Sequence, residues 1–278
     1  MSRRQLLRRF CIGAGGAALS AAGYAHYVEP GLLSITRKTI PMLNLPPSLD
    51  GLKIAQLTDL HFRPGVDDGL IAKTVAASNQ EAPDLVVLTG DYIVHDRMAL
   101  QPMIELLKPL HAKHGLFAVL GNHDGWYAGE STVRQQMRHT NFDFLCNDGT
   151  RLHIQGDSFF IAGTDSVWSG HANPKAAFRG RKGNDPALAL IHEPDFFDTI
   201  QQDHRDFVQL SGHTHGGQCA VPFFGYAPIT PKYGERYLYG HFERPNASLF
   251  VSRGLGTTGI RVRFGCMPEL AILTMKAA

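Results

Sequence analysis

Apolar residues in this chain fall into short runs that alternate between two spacings. Leu52-Lys53-Ile54-Ala55-Gln56-Leu57 alternates as a strand does, and Leu85-Val86-Val87-Leu88 is apolar throughout, as in a strand covered on both faces. Leu70, Ile71 and Val75 within 69–79, and Met103, Leu106, Leu107 and Leu110, recur at helical spacing. Leu116–Leu120 reads as another buried strand, followed by a weaker helix near 131–139. Strands and helices alternating in this way imply a largely parallel sheet with crossover helices.

After residue 150 the pattern changes. Arg151–Ile154 and Phe159–Ala162 read as a hairpin turning at Gly156-Asp157. Further strands are expected at Ala187–Ile191, Phe207–Leu210, Ser248–Ser252 and Leu270–Met275, with few long helices between them. Two mixed sheets packed face to face, with helices outside, fit this order better than one open sheet. The fold class expected is α/β. No linker or repeat divides residues 51–278, which read as one domain; residues 26–50, with Pro41, Pro46 and Pro47, read as a connecting segment.

The first 25 residues have their own grammar. Ser2-Arg3-Arg4-Gln5-Leu6-Leu7-Arg8-Arg9 is basic, no acid occurs before Glu29, and an Ala/Gly-rich run extends from Phe10 to about Ala25. This is the layout of an export signal, and the paired arginines resemble a twin-arginine signal. The expectation is export to the periplasm or the outer face of the cytoplasmic membrane, with the export machinery as a partner. The apolar run is short of the ~20 residues that comfortably span a bilayer. A cleaved signal, an uncleaved anchor and a basic helix on a membrane surface all stay open.

Composition sharpens this. The 278 residues are 44% hydrophobic and 19% charged, as in a globular protein, and the net charge of +2 lacks the basic field that nucleic-acid binding needs. Residues 1–25 hold four arginines and no acid, which leaves 23 basic against 25 acidic residues in the rest. The working domain is therefore nearly neutral. Four scattered cysteines are too few for a disulfide framework or a Cys-rich zinc fold.

The candidate chemistry sits where the strand-like runs end. The exits carry Asp59-Leu60-His61, Gly90-Asp91, Gly121-Asn122-His123-Asp124, His192 and Gly212-His213-Thr214-His215. In open α/β sheets, ligands bind at the carboxyl ends of strands, so five such exits suggest one convergent site. The donors are carboxylates, an amide oxygen and imidazoles, without a thiolate. Such a set suits manganese, iron or zinc, and is too large for a single tetrahedral zinc. Two divalent ions sharing a carboxylate would use it, and their excess positive charge would attract a phosphate.

These motifs, in this order, resemble the calcineurin-like metallophosphoesterases. The extended Gly212-His213-Thr214-His215-Gly216-Gly217-Gln218, the late Ser252-Arg253-Gly254-Leu255-Gly256-Thr257-Thr258 and Arg263-Phe264-Gly265-Cys266-Met267-Pro268-Glu269 look like its YaeI/YkuE-type phosphodiesterase branch. The resemblance implies a four-layer α/β/β/α sandwich and a phosphodiesterase with two divalent metals per chain. Manganese is the first expectation, with iron or zinc as alternatives. It implies Asp59, His61, Asp91 and His215 around one metal and Asp91, Asn122, His192 and His213 around the other. It further implies that water held between the metals attacks phosphorus, that His123 stabilises charge or protonates the leaving group, and that Asp124 orients His123.

The superfamily often carries a second acid three residues after its Gly-Asp aspartate; here that place is Val94, followed by His95. The substrate expected is a small-molecule or lipid-linked phosphoester. A pyrophosphatase acting on a nucleotide-linked acylated sugar is the alternative, against which the export signal counts. A non-catalytic binding protein would be expected to lack some of these positions, and all are filled. Residues 221–242 hold seven aromatic residues that read either as an apolar lip beside the metals or as a loop packed on the sandwich.

Overall fold

Strands with apolar side chains on both faces must be covered on both faces, and the architecture follows from that requirement. In the computed structural model, which describes residues 2–168, 170–220 and 230–278, two six-stranded sheets lie face to face. The first contains β1 (Ser34–Met42), β2 (Lys53–Leu57), β3 (Leu85–Leu88), β4 (Leu116–Ala118), β5 (Phe142–Phe144) and β12 (Glu269–Ala277), in the order β1-β12-β2-β3-β4-β5. The second contains β6 (Asp148–Ile154), β7 (Asp157–Gly163), β8 (Ala187–Leu190), β9 (Phe207–Ser211), β10 (Gly240–Arg244) and β11 (Ala247–Val251), in the order β10-β11-β9-β8-β7-β6. Strands β2 to β5 are parallel, as are β7, β8, β9 and β11; β12 opposes β2, and β6 and β10 close the second sheet antiparallel.

Alternation along the buried strands divides the apolar residues into three layers. In β3, Leu85 and Val87 face the second sheet, while Val86 and Leu88 face α2 (Asp68–Gln80), α3 (Leu100–Leu107) and α4 (Glu130–Met137). In β8, Leu188 and Leu190 enter the layer between the sheets, while the smaller Ala187 and Ala189 face α5 (Pro174–Ala177) and α6 (Phe197–Asp203). The result is the four-layer sandwich. At the site end the two sheets are also tied by a polar bridge: buried Gln56 on β2 donates to the Ser211 carbonyl on β9 at 2.9 Å and to Thr89 Oγ1 at 3.0 Å.

The stretch read from sequence as a connecting segment, 26–50, contributes β1, which pairs with β12 over nine residues. Its start is fixed by buried Glu29, which accepts from the backbone N–H groups of Cys266 at 2.6 Å and Gly265 at 3.1 Å. N-terminal to this lies α1 (Arg3–Gly23), capped by Ser2 and with no buried residue. Among the described residues no helix is long and apolar enough to cross a membrane.

The layer between the sheets predicts the response to truncation. Leu190→Ala, at a fully buried position, should lower unfolding free energy by about 2–5 kcal/mol, whereas Met98→Ala, on an exposed side chain, should change it by under about 0.5 kcal/mol. Urea unfolding of both variants checks this.

Candidate metal centre

Five of the site side chains leave their strands on backbone that few residues adopt. Asp59, His61, Asp91, His213 and His215 have φ of 49°, 38°, 56°, 73° and 54°. Left-handed conformations at such residues persist only where the surroundings enforce them. Here close backbone approach does so. A Cβ on Gly121 would lie 2.2 Å from Asp91 Oδ1, and one on Gly212 would lie 2.1 Å from Asp59 Oδ2. The glycines before Asn122 and His213 therefore let loops from different strands, and from both sheets, meet.

The side chains that meet are Asp59, His61 and His215 in one group and Asp91, His192 and His213 in another, each group with its ligand atoms within 4.8 Å of one another. His61 Nε2 is 3.0 Å from His215 Nε2, and His215 Nε2 is 3.4 Å from Asp59 Oδ1. In the second group, His192 Nε2 is 3.2 Å from both Asp91 Oδ2 and His213 Nδ1. Asp91 joins the two groups, because its Oδ2 is also 3.4 Å from His61 Nε2 while its Oδ1 accepts the His123 N–H at 2.8 Å.

The outer ring nitrogens fix which atoms point inward. A carbonyl can only accept, so His61 Nδ1 donates to Ile93 O, His192 Nδ1 to Thr89 O and His213 Nε2 to Lys232 O, at 3.3, 2.7 and 2.8 Å. The opposite nitrogens of all three rings are thereby aimed at Asp91 and at one another. Backbone bonds of this kind commonly orient metal-binding imidazoles. Asn122 Oδ1 is buried with no hydrogen-bond partner among the described residues, as is His215 Nδ1. An orphaned buried amide oxygen is costly unless something occupies its lone pairs.

The electrostatics make the same demand for positive charge. Burial opposes ionisation of Asp91, but His192 and His61 outweigh it and hold its carboxyl well below the ordinary aspartate value. Burial also opposes a charge on His192, yet Asp91 holds that imidazole well above its ordinary value. Burial and neighbouring His61 drive His215 well below its own. A proton on His192 can answer Asp91; the carboxylate, amide and imidazole donors together fit divalent cations more completely.

His123 lies at the edge of this set, its ring 4.6 Å from that of His61. Its Nδ1 donates to the Val94 carbonyl at 2.9 Å, which leaves Nε2 as the nitrogen not committed to the backbone. Asp124, which the resemblance implies orients His123, acts on the backbone around the site. The Asp124 carboxylate is consumed by three backbone N–H groups, those of Tyr92, Asp91 and Gly121, at 2.8, 2.9 and 2.9 Å. It ties the β3 and β4 exits together, and Val94 orients the imidazole through its backbone. Burial and the Asp91 charge push the Asp124 carboxyl up to about 7.

Other sequence candidates fall outside the centre. His95 is exposed, its ring 6.3 Å from that of His123 and 4.9 Å from that of Tyr127. Arg253 pairs with Glu269 at 3.0 Å. Of the 221–242 aromatics, Phe223, Phe224 and Tyr226 lie outside the described residues; Tyr237 is buried and packs on Phe197 and Phe242. Residues missed from sequence include Arg263, fully buried, whose guanidinium donates to the carbonyls of Arg253, Gly254, Gly256 and Cys266. It shapes the loop that bonds the Asp59 backbone, and Cys266 Sγ donates to the His215 carbonyl at 3.1 Å. Glu193 was also missed, although an acid directly after His192 was a visible signal.

Known proteins resemble this chain in sequence and in fold. The family model for calcineurin-like phosphoesterases matches residues 52–217. The chain is 33% identical to the uncharacterized metallophosphoesterase YkuE of Bacillus subtilis, covering 100% of this chain and 98% of that protein. It is 31% identical to phosphodiesterase YaeI of Escherichia coli over 99% of both, and 29% identical to the UDP-2,3-diacylglucosamine pyrophosphatase LpxG of Chlamydia trachomatis over 90% and 91%. Among solved structures, the NAD nucleotidase NadN of Haemophilus influenzae superposes with a TM-score of 0.52 at 15% identity, over 73% of this chain and 45% of that one, a likeness of fold alone. By sequence, fold and donor set, the chain belongs to the calcineurin-like phosphoesterase family, whose members are metal-dependent phosphoester hydrolases with a dinuclear centre.

Proposed function

We propose that this protein hydrolyses a phosphodiester at a dinuclear centre in which Asp59, His61, Asp91 and His215 hold one divalent ion and Asp91, Asn122, His192 and His213 hold the other. The observation that carries the reading is the inward aim of the His61, His192 and His213 nitrogens upon Asp91, beside the orphaned Asn122 oxygen. The N/O donor set suits manganese, with iron or zinc as alternatives. When bound, such a metal pair would neutralise phosphoryl charge and supply activated water at neutral pH.

The chain's own residues do the rest. Asp91 uses one carboxylate oxygen to take the His123 N–H and turns the other toward both groups, so the distance between the two halves is set by a single side chain. His123, pinned on Val94, offers Nε2 to a phosphoryl oxygen or to the departing alkoxide. Burial of the centre excludes bulk water and strengthens each charge interaction there.

The arginine-rich α1, without an acid, supports a twin-arginine-like export signal, with action in the periplasm or at the outer face of the cytoplasmic membrane and contact with the export machinery. The same helix supports association with an anionic membrane surface if it is retained. The likeness to LpxG favours a second reading, hydrolysis of a pyrophosphate in a nucleotide-linked acylated sugar.

Three outcomes test the proposal. His123→Ala should lower kcat on bis-p-nitrophenyl phosphate about 10²–10⁴-fold while metal content stays at the wild-type level. Asp91→Asn should lose both turnover and metal, measured by steady-state kinetics and elemental analysis. Gly121→Ala, which drives a methyl group into Asp91, should weaken manganese retention in dialysis, whereas Gly69→Ala, with open space around its Cβ and no positive φ, should not.

A further inference from the structure

Both tryptophans of the chain, Trp126 and Trp168, stand at the mouth of the site. Trp126 and Tyr127 lie on the single turn Asp124–Ala128 that follows His123 at the β4 exit, and are 44% and 42% exposed. Trp168 lies beyond β7, in the other sheet. The two indoles meet edge to face, with centroids 4.7 Å apart at 79°. Trp168 also meets the His213 ring at 5.6 Å, and the Trp126 and Tyr127 rings lie 5.5 and 5.4 Å from that of His123. The pair therefore bridges the two sheets between one proposed metal ligand and the proposed proton donor.

Neither indole hangs on loose chain. Asp124, by binding three backbone N–H groups, fixes the start of the Trp126 turn. Glu193, fully buried and next to His192, accepts from Ser166 Oγ, Val167 N and Trp168 N at 2.5, 2.9 and 3.0 Å. Two buried carboxylates, each adjacent in sequence to a site histidine, thus hold the two turns. Partly exposed aromatic rings held in this way lose little freedom when they take up an apolar group.

We propose that the Trp126–Trp168 pair is the specificity-determining contact of the site and receives the apolar organic group esterified to the phosphate. The inference rests on the phosphoesterase reading, because the phosphoryl group beside Asp91 and His123 is what brings that organic group to the indoles. An aromatic ring and an acyl chain share the chemistry the pair would recognise.

The test titrates manganese-loaded full-length protein with phenylphosphonate, octylphosphonate and inorganic phosphate, by calorimetry and tryptophan emission. At least one phosphonate should bind about tenfold more tightly than phosphate and perturb emission. Preference for phenyl over octyl assigns a planar ring, and the reverse assigns a chain. Trp126→Ala and Trp168→Ala should each reduce that preference at least severalfold, and Trp126→Phe and Trp168→Phe, which keep an aromatic face, should retain most of it. Equal binding of all three ligands to the wild type, including no binding, would overturn the proposal, as would a preference that survives both alanine variants. A Trp-dependent preference in a protein that hydrolyses no phosphoester would sink the phosphoesterase reading while leaving the apolar subsite in place.

Discussion

Asp91 is the residue on which the centre depends. One carboxylate oxygen binds the His123 backbone and the other faces His61 and His192, so the two ligand groups and the loop after β4 all take their positions from it. A buried carboxylate surrounded by imidazole nitrogens, with an orphaned amide oxygen nearby, is an arrangement that needs positive charge to be stable. The rest of the architecture can be read as what is required to hold that arrangement together.

The candidate ligands are drawn from both sheets. Asp59, His61, Asp91 and Asn122 leave strands of one sheet, while His192, His213 and His215 leave strands of the other. The apolar layer between the sheets sets their separation, and Gln56 fixes their carboxyl ends against each other through Ser211. At the exits, left-handed backbone at five donor positions is enforced by neighbouring turns, by Asp124 across β3 and β4, and by the buried Arg263 behind the Asp59 loop. Catalytic geometry of this kind is rigid by construction, which is what electrostatic stabilisation of a phosphoryl group requires.

Much of this was legible in the chain. β3 and β8 were visible because every position in Leu85–Leu88 and Ala187–Leu190 is buried, and the polar motifs after them marked the exits. β1 was not, because an edge strand exposed along half its length and carrying Pro41 lacks both the alternating and the uniform pattern. β5, only Phe142–Phe144, is too short to show a period. The candidate donors stood out because carboxylate, amide and imidazole side chains recur at the strand exits. What orients them did not, since Val94, Ile93, Thr89 and Lys232 act through carbonyls that any residue would supply. Asp124 illustrates the limit: the resemblance implied that it orients His123, and its carboxylate accepts from the backbone N–H groups of Tyr92, Asp91 and Gly121.

The proposed centre requires two cations to share Asp91. Anomalous diffraction from crystals of the manganese-loaded protein tests it most directly. Two peaks about 3.5–4 Å apart, one on each side of Asp91 Oδ2 and with Asn122 Oδ1 beside the His192–His213 peak, are the predicted result. A single peak, or two peaks of which neither lies within bonding distance of Asp91, would contradict it.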